Sequence, residues 1–144
     1  MSSESVGDPI VVTHEGGVSF AAEIGNHRIV VDQPVRAGGT DLGPSPIELL
    51  GAALGTCVAF YIRQFCHSRG LDYEGFRVEV DQHRGSTPSR VARFVVRVVL
   101  MQELPEPHAS MLEHVVRSCP AHNTLTGGAE VAVSILSPSP ADRA

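Results

Sequence analysis

Residues 45–65, SPIELLGAALGTCVAFYIRQF, decide how the rest of this chain is read. Ser45 stands at a helix N-cap position, Pro46 takes the first helical position, and Glu48 follows three residues after the cap, so serine and glutamate can satisfy each other's free N–H groups. From Ile47 onward, apolar residues recur at Leu50, Leu54, Cys57, Tyr61 and Phe65, the three-then-four rhythm of one helical face. Ala52, Ala53, Gly55 and Ala59 keep the remaining faces small and uncharged as far as Arg63. The spacing predicts a central helix packed on more than one side and ended at Gly70.

On the N-terminal side, residues 18–31 read as two strand-like runs joined by Gly25-Asn26, a pair suited to the positive φ of a tight hairpin turn. A shorter run at Ile10–Thr13, followed by Glu15-Gly16-Gly17, adds a third strand before it. On the C-terminal side, Phe76, Val78 and Val80 alternate with charged residues, and after RGSTPSR comes the apolar run VARFVVRVVLM, which predicts a second hairpin. Pro105 and Pro107 precede a second helix carrying Leu112, Val115, Val116 and Cys119 at helical spacing. Pro120 biases Cys119 out of that helix and into the turn CPAHN. A last strand is expected over Val131–Leu136. The order β-β-β-α-β-β-α-β, two helices on a mainly antiparallel sheet, is an α+β domain over 9–136, with disordered tails at 1–8 and 137–144.

The 144 residues suit one domain and one packed core. All eleven cationic residues are arginine, which excludes Schiff-base chemistry on lysine. The arginines alternate with acids and the net charge is −5, so there is no electrostatic footprint for nucleic acid or an anionic membrane. The polar N-terminus MSSESVGD has no signal-peptide character, and no uninterrupted apolar run reaches spanning length, so a cytoplasmic protein is expected. In that compartment three cysteines form no structural disulfide framework, and any disulfide is transient and catalytic.

Cys57 and Cys119 are therefore a candidate redox pair. The ordinary alternative for Cys57 is a small hydrophobe filling a helix contact. A thiol in the middle of a helix gains nothing from a helix terminus, so its activation needs a cation from elsewhere, and Arg28 and Arg36 are the candidates in the N-terminal region. Cys119, at a chain reversal before proline, is expected to be the more exposed of the two, in a turn whose glycines permit movement. Cys66 falls on the opposite face of the helix from Cys57 and cannot bond to it there. Cys119-x-x-His122 is half a metal site, so no metal or other cofactor is called for.

With those pieces in place, the chain resembles the OsmC/Ohr family of osmotically induced and organic-hydroperoxide-resistance proteins. The resemblance rests on GPSPIELLGAALGTC and CPAHNTL and on the element order over roughly 9–136. It implies an intertwined homodimer and a stress-response, antioxidant peroxidase. In that reading Cys57 is the peroxidatic thiol, Cys119 the resolving one, and a dithiol such as dihydrolipoamide or a lipoylated protein is the reductant. The family's peroxidases also use an N-terminal arginine, here Arg28 or Arg36, and a glutamate directly after the helix-starting proline. This chain has Ile47 in that place and Glu48 one position later, about half a turn round the helix from Cys57. The broader OsmC-like branch is the nearer match. The alternatives are a non-catalytic OsmC-like dimer binding a small apolar ligand, or a sulfur carrier using Cys119.

Overall fold

The computed structural model describes residues 4–139 and 141. The parts of the two expected tails at 1–3, 140 and 142–144 lie outside the described residues. Three strands open the chain, β1 (Val11–Gly16), β2 (Ser19–Ile24) and β3 (His27–Val31), and form one antiparallel sheet in the order β1-β2-β3. The β2–β3 register pairs Ile24 with His27 across the Gly25-Asn26 turn, and Gly25 takes the positive φ of 57° that such a turn demands.

A 14-residue connection then leads to α1 (Pro46–Ser68). It is fixed by Asp32, a carboxylate only 1% exposed. Its oxygens accept bonds from the N–H groups of Gln33 (2.7 Å), Thr40 (3.2 Å) and Leu42 (3.1 Å) and from the Thr40 hydroxyl (2.8 Å). These bonds fold the segment back on itself and hold the short 3-10 turn Val35–Ala37, which carries Arg36. Those donors also hold the Asp32 carboxyl below its ordinary value, the bond from Gln33 contributing most. Gly39 and Gly43 are required here, because a Cβ on either would lie about 2 Å from the carbonyl oxygen of Gln33 or Val30.

α1 begins as its sequence dictates. The Ser45 N–H and hydroxyl donate to Glu48 at 2.7 and 2.9 Å, and the Glu48 N–H donates back to the Ser45 hydroxyl at 3.3 Å. β4 (Arg77–Ser86) and β5 (Ser89–Val99) form a separate two-stranded sheet against α1, and α2 (His108–Val116) and α3 (Pro120–Gly127) close over the same helix. The core where they meet consists of Leu54, Val58, Ile62, Phe65, Cys66, Leu112 and Cys119. Full burial of a side chain such as Ile62 is worth about 1.5–3 kcal/mol. α1 is long and apolar enough to cross a membrane. Its packing against β4, β5, α2 and α3 accounts for that composition as a core helix.

Two elements differ from expectation. The turn after Cys119 is a helix, α3, with Pro120 at its first position. Residues 131–136 form no strand, and Val131, Val133, Ile135 and Leu136 are 81–92% exposed. Their alternation is that of a strand, but a strand needs a neighbour to satisfy its backbone groups, and among the described residues the segment has none. The β1–β3 sheet is likewise unsupported: among the described residues it packs on no other strand or helix to any extent, and Val11, Val12, Phe20 and Ile24 stay exposed.

Candidate functional site

The site forms where α1 meets the start of α3. Cys57 lies in the middle of α1, half-buried, on the border between the core face (Leu54, Val58) and an exposed apolar stripe bounded by Leu50 and Phe60. Cys119 is the N-cap of α3, a place more often held by serine or aspartate. Pro120 fixes its extended backbone, with φ −68° and ψ 149°, and its Sγ accepts the His122 N–H at 3.4 Å. That geometry turns the sulfur back toward α1, where Cys57 packs against the same core cluster and acts on the Cys119 thiol. Both are free thiols. The fold thus joins the two cysteines that the sequence singled out.

Their environments are the reverse of the expected ones. Cys119 is 0% exposed, and Cys57 is the more open of the two. The short helix after Cys119 replaces the mobile, open turn and seals the sulfur against the core. Burial pushes the Cys119 thiol up, the N–H bonds from His122 and Ala121 pull it down, and the Cys57 sulfur raises it further. The net result is upward, so Cys119 keeps its proton when its neighbour carries charge. Cys66 also sits in the core, with its thiol pushed up by burial and only partly offset by Arg69.

The remaining candidates lie elsewhere. Glu48 is committed to the capping box, and the Ser45 hydrogen bonds, with a smaller pull from Arg36, hold its carboxyl below the ordinary value. It stands about 13–14 Å along the axis from Cys57 at 1.5 Å per residue, and faces a shallow groove lined by Gly51, Ala52, Gly55 and Val80. Arg28 is bound by Glu15 at 2.6 Å and Glu23 at 3.3 Å on the β1–β3 sheet. Arg36 makes no ion pair among the described residues and acts electrostatically on Glu48 at the head of α1. A groove of about 590 Å³ runs behind the dithiol between β5 and α2, with Leu54, Val58, Phe94, Val96 and Val116 as its apolar walls and His122 at its end.

Neither Asp32 nor the helical start at Pro120 was read from the sequence. The second had a signal, because proline at a helix's first position with Gly127-Gly128 after the last turn is the usual pair of helix boundaries. Asp32 had only its place between a strand and a glycine-rich segment.

A family model described as OsmC-like protein matches residues 38–134, which include α1, both cysteines and the hairpin between them. The chain belongs to the OsmC-like family. Solved structures with the OsmC-like fold agree over most of its length. A Psychrobacter arcticus protein named for osmotic stress induction and detoxification response superposes with TM-score 0.75 at 24% identity, covering 84% of this chain and 90% of that one. An organic hydroperoxide resistance protein OsmC of Legionella pneumophila gives 0.57 at 19% identity, with 85% and 93% covered. A Vibrio cholerae protein described for organic hydroperoxide resistance, with captopril in one of its active sites, gives 0.57 at 18%, with 88% and 90% covered. At these identities the likeness is one of fold. No curated protein is similar enough in sequence to count as a relative.

Proposed function

We propose that this OsmC-like chain is a cytoplasmic homodimeric peroxidase that reduces organic hydroperoxides with its two meeting thiols. The observation that carries this reading is the packing of Cys57 against the cluster that holds Cys119, one sulfur at an open helix face and the other fully buried beside it. The Cys57 thiolate attacks the distal peroxide oxygen, the O–O bond breaks, and the alkoxide leaves as an alcohol after taking a proton. Cys57 is left as a sulfenic acid. The Cys119 sulfur attacks the Cys57 sulfur, water departs, and the disulfide forms. An external dithiol such as dihydrolipoamide, free or protein-bound, then reduces it. The apolar walls around Cys57 favour peroxides with alkyl groups to bury.

Assembly follows from surface area. The chain exposes 11075 Å², against about 7,100 Å² for a compact monomer of its 15.3 kDa. Part of the excess is the extended C-terminal segment, and part is the uncovered β1–β3 sheet and the Leu50–Phe60 stripe of α1. A second copy covering those faces makes the domain, 9–136, complete only as a dimer. The activating cation is assigned to Arg36, because Arg28 is already neutralised by two carboxylates. Arg36 sits at the far end of α1 from Cys57 in its own chain, so its action belongs to the assembled dimer.

Cys57→Ser is expected to lose peroxide consumption with dihydrolipoamide entirely, while Cys119→Ser keeps a single turnover and stalls at the sulfenic acid. Unchanged turnover in Cys57→Ser would reject the peroxidase. Ile47 in place of the family's glutamate and the ion-paired Arg28 favour one rival, a non-catalytic dimer holding an apolar ligand. Native mass spectrometry of the dimer from cells separates the two, as a bound small molecule with no disulfide after peroxide supports the rival. Full burial of Cys119 weighs against a sulfur carrier, whose persulfide must reach a second protein.

A further inference from the structure

The two sulfurs are unequal in ways that dictate how an oxidised pair is reopened. We propose that the external thiol attacks the sulfur of Cys57 and that Cys119 departs as the leaving thiolate, so that the reductant is held transiently as a mixed disulfide on α1. The inference rests on the disulfide proposed above and specifies which of its sulfurs meets the partner.

Thiol–disulfide exchange is an in-line displacement, with attacking, central and leaving sulfurs on one axis. Attack on Cys119 would bring the nucleophile in on the side away from Cys57. Cys119 is 0% exposed and forms part of one core cluster with Leu54, Val58 and Leu112. Cys57 is half-buried beside the exposed Leu50 and Phe60, and offers an approach that does not breach the core.

The fate of the departing charge is divided between donors and burial. Charge that develops on the Cys119 sulfur meets the His122 N–H, at 3.4 Å, in the first turn of α3. Charge that develops on Cys57 meets no such donor, because N–H groups in the middle of α1 are already bonded to carbonyls one turn back. Burial opposes a thiolate at Cys119, so donors and burial act against each other there, and access decides the outcome.

The steps balance. A dithiol monoanion, HS–R–S⁻, attacks the Cys57 sulfur, the Cys57–Cys119 bond breaks, and the electron pair leaves on Cys119. The second thiol of the reductant passes its proton to the Cys119 thiolate and attacks the reductant's own sulfur in the mixed disulfide. Cys57 is expelled as a thiolate, and the reductant leaves as a cyclic disulfide, having given two electrons. The pair returns with charge on Cys57 and the proton on Cys119, the state in which it can meet the next peroxide.

The test uses the full-length protein, oxidised with diamide so that no peroxide chemistry is presupposed, and 2-mercaptoethanol, a monothiol that cannot cyclise. Brief exposure, acid quench, maleimide capping and peptide mass mapping locate the mixed disulfide. The mercaptoethanol adduct is expected on Cys57 with maleimide on Cys119, in roughly tenfold or greater excess over the opposite pattern. An adduct on Cys119, or an even split, overturns the inference and leaves the peroxidase standing. Failure of diamide to link the two cysteines overturns both. Clean mapping to Cys57 with no peroxide turnover leaves this exchange chemistry intact and removes the peroxidase.

Discussion

The two halves of the chain solve the problem of apolar surface differently. From Pro46 to Gly127, a central helix, a hairpin and two short helices enclose a core of their own, with Ile62, Cys66 and Cys119 fully buried. From Val11 to Val31, three well-paired strands present Val11, Val12, Phe20 and Ile24 to solvent, and the loop that Asp32 gathers anchors the sheet from behind. The C-terminal half encloses its own core, and the N-terminal half leaves an apolar face open, the face that the proposed dimer would cover. The dithiol lies in the C-terminal half, Arg28 on the open sheet and Arg36 in the loop behind it, so in the proposed dimer chemistry and assembly are coupled.

The contrast can be broken in several places. Ile62→Ala, within the enclosed half, is expected to cost about 2–5 kcal/mol, with the denaturant midpoint falling by a similar margin at every protein concentration. A cost below about 1 kcal/mol would mean that this core is not the stabilising one. Val12→Asp, on the open sheet, would be nearly silent in a monomer, within about 0.5 kcal/mol. A sheet covered by a second copy instead predicts a loss of about 1–3 kcal/mol and a Tm that rises with protein concentration. Sedimentation of this variant, showing a lighter species than wild type, sharpens the assignment; identical sedimentation and stability would leave the sheet uncovered.

Smaller effects probe the hinge between the halves. Ser45→Ala removes the α1 cap and is expected to cost about 0.5–2 kcal/mol with the order of cysteine alkylation unchanged, Cys57 before Cys119. Labelling of Cys119 first would contradict the burial described above. Asp32 titrates below its ordinary value of 3.8 in the folded protein, so its contribution to stability is complete above that pH and is lost as pH falls through the folded value. Urea midpoints for wild type and Asp32→Asn should therefore differ at neutral pH and converge in acid. A gap that persists unchanged at low pH would show that the ionised carboxylate is not what the loop relies on.

Much of this was legible in the residues. The start of α1 could be read to the residue because a capping box is a local device, with Ser45, Pro46 and Glu48 carrying all of its information. The Gly25-Asn26 hairpin was legible for the same reason. Cys57 and Cys119 were singled out as a candidate pair from the residues and given separate roles by resemblance, since no local rule joins positions so distant in sequence. Val131–Leu136 shows where local reading stops: alternation specifies a strand, but not which chain supplies its neighbour. The exposure of Cys119 was misjudged because proline and glycines were read as a loop, whereas Pro120 begins a helix that closes over the sulfur.

The use of a cysteine as a helix cap has one more consequence. The lone pair that accepts the His122 amide proton in the first turn of α3 belongs to the same atom that bonds to Cys57 in the proposed disulfide. In the proposed redox cycle the backbone proton of His122 would act as a gauge of oxidation state. Its chemical shift and exchange rate should change when the thiols join and recover when they part, a readout that needs neither substrate nor label on the sulfurs.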